Sequence, residues 1–451
     1  VTSAPGASPL REIVRAQKRG EPRGIYSVCS AHPFVLEAAM LQAKADGSHV
    51  LIEATSNQVN PEGGYTGRTP RAFVRFVKDL CRELDFPFGR VLLGGDHLGP
   101  FPHQAESASR AMDKAAEMVR QYVEAGFVKI HLDASMRLAD DPPGPLDPGT
   151  ATARTAELCA VAERAASTRP PGSPRPLYVI GTEVPVPGGE REKPDRLEVT
   201  RPEDAQRTLD LTRSAFAQRD LEAAWERVFG LVVQPGVEFG DAVVFDYDRA
   251  RARDLVAFIE SREGLVFEAH STDYQTEEAL SALVQDHFAI LKVGPALTFA
   301  FREAVFALAE IEREWLGGRK DVTLSRIRAV LEEAMRKSPG HWRGHYRGDA
   351  RQLRFARQWS LSDRIRYYWP LSPVEDALRR LLTNLSRHPA PAALVSQFLP
   401  VQHEALRHGR AVADPRRLVR LKVMEVLAAY ARACGTAARE TMGALVAAGR
   451  A

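Results

Sequence analysis

The sequence predicts an α/β fold, a (β/α)8 TIM barrel with a C-terminal helical extension, and three observations carry that expectation. Short apolar runs bounded by Gly, Pro, Asp or Ser recur eight times. They are apolar almost throughout rather than alternating, which suits parallel strands covered on both faces. Amphipathic helical patterns separate them, and such alternation with right-handed crossovers implies a parallel sheet that closes most simply as a barrel. An open doubly wound sheet is the competitor, but no GxGxxG turn follows the first run.

In chain order the runs are GIYSVCSAHP from Gly24, HVLIEATSNQ from His49, RVLLGGDHLGP from Arg90 and FVKIHLDAS from Phe127. LYVIGTEVPVPGG from Leu177, FGLVVQPGVEFG from Phe229, LVFEAHSTD from Leu265 and FAILKVGPAL from Phe288 follow. Helical spacing of apolar residues marks the intervals, as in TPRAFVRFVKDLCREL from Thr69 and SASRAMDKAAEMVRQYVEAG from Ser107. DDPPGPLDPG and TRPPGSPRP read as rigid loops rather than domain boundaries. From about residue 318 to 451 the pattern is helical only, so residues 1–317 are expected to form the barrel with an N-terminal helix, and the remainder to pack on it. A subunit interface or a cover for the barrel's base is the plain use of such an extension.

Composition narrows the class. Of 451 residues 44% are hydrophobic and 26% charged, as in ordinary globular proteins. A net charge of +3 gives no field suited to nonspecific nucleic-acid binding. No apolar run reaches the roughly 20 residues a membrane span requires, and the N-terminus lacks a secretory core. Cys29, Cys81, Cys159 and Cys434 are scattered and form no CxxC pair, which fits a reducing cytoplasm. Any metal must therefore be held by His, Asp, Glu or amide oxygen.

Barrel active sites form at the C-terminal strand ends, and the polar residues collect there. Glu53, Ser56, Asn57 and Gln58 end the second run, Asp96 and His97 the third, and His131, Asp133 and Ser135 the fourth. Glu183 ends the fifth, Gln234 and Glu238 the sixth, His270, Ser271 and Asp273 the seventh, and Lys292 the eighth. Singly, each reads better as a helix cap or core polar group, and His131 as a satisfied core histidine. Together they are too many for capping, because buried polar groups are costly unless partnered or used. His97 and His270 with Glu183 offer a set suited to Zn²⁺ or another divalent ion.

The Asp-His pair in GGDHLGP, within this strand order, resembles the class II, metal-dependent aldolase barrel. AHPFVLEAAMLQA, LIEATSNQVNPEGGYTGRTP, KIHLDASM, GTEVPVPGG, VVQPGVEF, FEAHSTDYQ, LKVGPALTFAFREA and SLSDRIRYYWP extend the likeness over nearly the whole chain. On these the chain is identified as a member of the D-tagatose-bisphosphate aldolase "non-catalytic subunit" group. That group was long labelled tagatose 6-phosphate kinase, and some of its members are D-tagatose 6-phosphate 4-epimerases. The resemblance implies Asp96 as acid/base, His97 as a metal ligand, and Glu183 and His270 at further ligand positions. Where the aldolase pattern has another histidine this chain reads QPGVEF, so Gln234 or Glu238 is the expected substitute, and Mn²⁺ or Mg²⁺ joins Zn²⁺ as a candidate ion. The kinase label fits poorly, since GGYTGRTP lacks GxxxxGK[ST] spacing.

A 2-ketose carbonyl acidifies the hydrogen on C3, not that on C4, so inverting C4 requires oxidation there or cleavage of the C3–C4 bond. Without a dinucleotide fingerprint the second route is expected. D-tagatose 6-phosphate would split into a dihydroxyacetone enediolate, steadied by the cation, and glyceraldehyde 3-phosphate, which re-adds through its other face as D-fructose 6-phosphate. Asp96 would serve one face and Asp133 or Glu53 the other. Asn57, Gln58, Ser271 and Lys292 are candidates for substrate hydroxyls or the enediolate, and Arg68, Arg364 and Arg366 for the phosphate. HWRGHYRGD from His341 reads as packing or solvated surface. The alternatives are a non-catalytic subunit complexed with a class II bisphosphate aldolase, a lyase releasing trioses, or an epimerase of free ketoses or uronates. Homo-oligomers fit any of these.

Overall fold

A computed structural model describes residues 8–182, 197–407 and 414–437. Eight parallel strands close into a barrel: β1 Ile25–Val28, β2 Val50–Thr55, β3 Val91–Leu98, β4 Lys129–Leu132, β5 Leu177–Ile180, β6 Val228–Val233, β7 Val266–Ala269 and β8 Phe288–Val293. Each strand pairs with its successor, and β8 returns to β1 with Ile290 opposite Ile25. The eight apolar runs thus became the eight staves. One small addition lay outside expectation, a two-residue antiparallel ladder joining Glu238–Phe239 to Val244–Phe245.

The helices between strands start where local chemistry satisfies their free N–H groups. Thr69, Asp147 and Thr276 accept from the backbone N–H three residues on, and proline occupies the first turn after Thr69 and Asp147. Their apolar stripes then bury against the outer face of the barrel, where Phe73, Val77, Tyr122, Phe216, Leu255 and Phe301 are almost wholly enclosed.

The base of the barrel is closed by the N-terminal helix Pro9–Lys18. Leu10, Ile13 and Val14 join Leu51, Leu92, Val179, Phe229 and Ile290 in one interior cluster. Gln17 fixes this plug by donating to the carbonyls of Arg23 and Val284. The described C-terminal helices lie along the outer ring, and Cys434, at the end of the last one, reaches the base rim, where its carbonyl accepts from Gly24 N–H at 3.1 Å. The helix Pro415–Ala433 packs against helices Pro33–Asp46, Glu277–Gln285 and Pro295–Leu316 of the outer ring. The short turn Arg364–Tyr368 reaches the mouth instead. It is tied there by a fully buried pair, Arg302 Nε to Asp363 Oδ1 at 2.9 Å, with Thr298 donating to the other oxygen at 2.6 Å. Among the described residues no helix is long and apolar enough to cross a membrane.

Candidate metal centre at the barrel mouth

Strand geometry builds the site in two layers. Side chains two residues apart point to the same face, so Glu53, Lys129 and Glu268 form one interior tier. Asp96, His131, His270 and Lys292 form the tier above it, nearer the mouth. Gly94 makes the lower tier feasible, because a Cβ there would lie 2.6 Å from Glu53 Cγ. Lys129 Nζ stands 2.5 Å from Glu53 and 2.6 Å from Glu268. Lys292 Nζ bridges upward, 3.2 Å from Glu53 and in direct contact with Asp96.

Above this ionic floor three imidazoles face one another. Ring centroids are 5.0 Å apart for His97 and His131, 4.9 Å for His97 and His270, and 5.2 Å for His131 and His270. Each of them and Asp96 offers a ligand atom, and these four atoms lie within 4.8 Å of one another. His97 adopts a left-handed backbone at φ 47°, a conformation uncommon outside glycine. Its Nδ1 lies 2.7 Å from Asp133 Oδ2, and His270 Nε2 lies 3.0 Å from Glu268 Oε1.

Burial holds two of these rings neutral. It pushes His131 down to about 4, helped by His97, and drives His270 well below the usual imidazole range. Burial pushes Glu53 up, but Lys129 and Lys292 more than offset it and leave the carboxyl well below its ordinary value. Burial would strip Lys129 of its proton, yet Glu268 and Glu53 reverse that and keep it charged. Burial raises Glu268. Four carboxylates, Glu53, Asp96, Asp133 and Glu268, thus share this interior with two lysines.

This donor set fits a divalent cation. Neutral imidazoles supply lone pairs, the surplus of carboxylate favours positive charge, and His131 Nε2 is buried without a hydrogen-bond partner. His97, His131 and His270 are the residues that would hold it, with Asp96 beside them.

The mouth gathers most of the residues expected from sequence. Asn57, Gln58, Asp96, His97 and His270 line one cavity with Ser271, Lys292 and Arg366. Others go elsewhere. Asp133 stands behind His97, its oxygens engaged by His97 and Ser135, and does not line the cavity. Glu53 is locked in the lower tier between two lysines and likewise does not line the cavity. Gln234 Oε1 accepts from Gly236 N–H at 2.7 Å, which closes its own loop and removes it from the cluster. Glu238 begins the small ladder, with Oε1 accepting from Phe239 N–H. Arg68 stacks on Phe76 at 4.1 Å, and Arg364 donates to the His341 carbonyl, so neither guanidinium lines the mouth. Glu183 lies outside the described residues.

His131 is the principal residue the sequence reading set aside. Its signal was the two-residue step from Lys129, which puts both side chains inside the barrel, and Glu268 with His270 repeats that step. Tyr65 and Tyr367, whose rings meet edge-on at 4.8 Å over the cavity, carried no sequence signal.

Residues 10–435 match the family described as D-tagatose-1,6-bisphosphate aldolase subunit GatZ/KbaZ-like. The chain belongs to this family. It is 46% identical to a solved structure described as a probable tagatose 6 phosphate kinase from Sinorhizobium meliloti 1021, over 91% of this chain and 100% of that one, with a TM-score of 0.83. Two further solved structures are distant. The YdjI aldolase from Escherichia coli K12 is 9% identical, over 85% of this chain and 97% of that one, at a TM-score of 0.42. Fructose-bisphosphate aldolase from Campylobacter jejuni is 14% identical, over 84% and 91%, at 0.44. Likeness at that level has no bearing on the chemistry.

Proposed function

We propose that this chain is itself an enzyme, a metal-dependent 4-epimerase converting D-tagatose 6-phosphate to D-fructose 6-phosphate by cleaving and remaking the C3–C4 bond. The observation that carries the reading is the convergence of His97, His131, His270 and Asp96 within 4.8 Å at the mouth of the barrel. A divalent cation held there would act as a Lewis acid, lowering the energy of negative charge on the ketose oxygens.

The remaining work falls to side chains of the chain. Asp96 lines the cavity and accepts from Thr55 Oγ1 at 3.1 Å, which aims its carboxylate. It takes the proton of the C4 hydroxyl as the aldehyde forms and returns one after the aldehyde has turned its other face. Lys292, in contact with Asp96, helps hold that carboxylate in place. Arg366, Tyr65 and Tyr367 cover the mouth and exclude water while the two fragments are apart. The loop Gly63–Gly67 speaks against phosphoryl transfer. A Cβ at Gly64 would lie 2.4 Å from the Gln58 carbonyl oxygen, so this glycine serves a tight turn rather than a phosphate cradle.

The family description names an aldolase subunit, and it favours a second reading more directly than the first: a partner that supports a separate class II aldolase without turnover of its own. One experiment separates them. The purified chain is incubated alone with D-tagatose 6-phosphate and Zn²⁺, Mn²⁺ or Mg²⁺, and the products are identified. Fructose 6-phosphate supports epimerisation and free trioses support lyase action. No product, together with stabilisation of an added aldolase chain, supports the subunit role.

A further inference from the structure

The end of β8 leads through Gly294 into the helix Pro295–Leu316, whose N-terminus opens on the cavity. In barrels this position, after strands seven and eight, is a ready-made anion site, because free N–H groups and the helix dipole converge there. In this chain it is already taken. Asp273 Oδ1 accepts from Gly294 N–H at 2.9 Å and from Ala296 N–H at 2.8 Å, and Asp273 is itself buried while lining the cavity.

The loop that brings Asp273 there is held at unusual cost. Ser271 and Tyr274, on either side of it, both adopt left-handed backbones, at φ 54° and 65°. Thr272 Oγ1 donates to the Lys292 carbonyl at 2.8 Å, Tyr430 donates to the Thr272 carbonyl at 2.6 Å, and Tyr274 donates to the Leu361 carbonyl at 2.5 Å. Three ties and two strained residues deliver one carboxylate to the helix N-terminus. An ordinary helix cap needs none of this.

We propose that Asp273 is a specificity-determining residue that fills the anion position with the protein's own charge, so that the site takes ketoses with a single phosphate and rejects bisphosphates. This rests on the reading of the mouth as a ketose site. A second phosphate arriving at the helix N-terminus would find its two N–H donors occupied and a carboxylate in its place, in a buried setting where like charges repel strongly.

The test pairs two variants, Asp273→Asn and Asp273→Gly, with two measurements. Titration calorimetry with inorganic phosphate should show Asp273→Gly taking up one more phosphate per chain than wild type, and a crystal soaked in phosphate should place it at Gly294–Ala296. Ketohexose 1,6-bisphosphate should compete with ketohexose 6-phosphate at least ten-fold better in Asp273→Asn than in wild type. A cap with a merely structural role would leave the bisphosphate-to-monophosphate ratio unmoved. Equal phosphate uptake by wild type and both variants, folded by circular dichroism, would overturn the proposal. Wild-type protein that turns over no ketose phosphate, yet gains phosphate on Asp273→Gly, would instead remove the epimerase reading and leave the exclusion standing.

Discussion

Nδ1 of His97 lies 2.7 Å from Oδ2 of Asp133, whose other oxygen accepts from the backbone N–H and the hydroxyl of Ser135. The carboxylate therefore fixes both the direction of the ring and the nitrogen left for a cation. Burial pushes the Asp133 carboxyl up, but the His97 contact outweighs it and keeps the group ionised. Orienting partners of this type are worth about 10–100-fold in metal affinity. Asp133→Asn should weaken Zn²⁺ or Mn²⁺ binding by about that factor with the melting temperature little changed. Unaltered affinity by calorimetry would show that His97 is not a ligand.

His131 and Gln234 make opposite predictions. His131→Ala should reduce bound metal at least ten-fold, whereas Gln234→Ala should leave it intact, because the Gln234 amide serves its own loop. Metal content after dialysis reads this directly, and the reverse ranking would restore the aldolase-like ligand pattern expected from sequence.

Arg302 and Asp363 are buried to 1% and 0% side-chain exposure, and they tie the turn carrying Arg366 and Tyr367 to the barrel. Asp363→Ala leaves the Arg302 guanidinium buried without its carboxylate, a change that typically costs ~3–5 kcal/mol. Denaturant unfolding should show that loss. Arg302→Met with Asp363→Asn, which suits the φ of 46° at that position, should recover much of the stability while KM stays high, since the turn is no longer held over the mouth by the ion pair.

Asp273 supplies a pH test of stability. Burial raises its carboxyl from 3.8 to about 6 in the folded chain, against the pull of the Ala296 and Gly294 N–H groups. A raised folded value means that its contribution is complete below the unfolded pKa and is lost as pH climbs through about 6. The contribution is on the order of 3 kcal/mol. Asp273→Asn should thus lose less stability than wild type between pH 4 and pH 7. Parallel unfolding curves for the two proteins across that interval would contradict the burial argument.

How much could be read beforehand follows from which signals are local. Eight apolar runs such as HVLIEATSNQ carry their strand character in four to eight residues of their own, so the barrel was legible. Asp96, His97 and His270 were legible because strand ends converge in any closed barrel. His131 and Lys129 were not given roles, because a charged or aromatic residue within a strand looks alike whether a partner waits inside or not. That partner, Glu268 for Lys129, sits 139 positions away on β7. Gln234 shows the converse: its partner, the Gly236 N–H, lies two residues on, so the amide stays within its own turn. The meeting of Tyr65 with Tyr367 depends on how the extension folds back, which no local pattern encodes.

The covering of the mouth by Arg366 and Tyr367 has a consequence for synthesis on the ribosome. All eight staves emerge before the segment that shelters them, and domains fold from the N-terminal side as they appear. A nascent chain can thus complete its cylinder and its imidazole cluster while the reaction chamber still stands open to water. On the epimerase reading, competence to retain an aldehyde would arrive late in translation, when the Asp363 turn docks on Arg302.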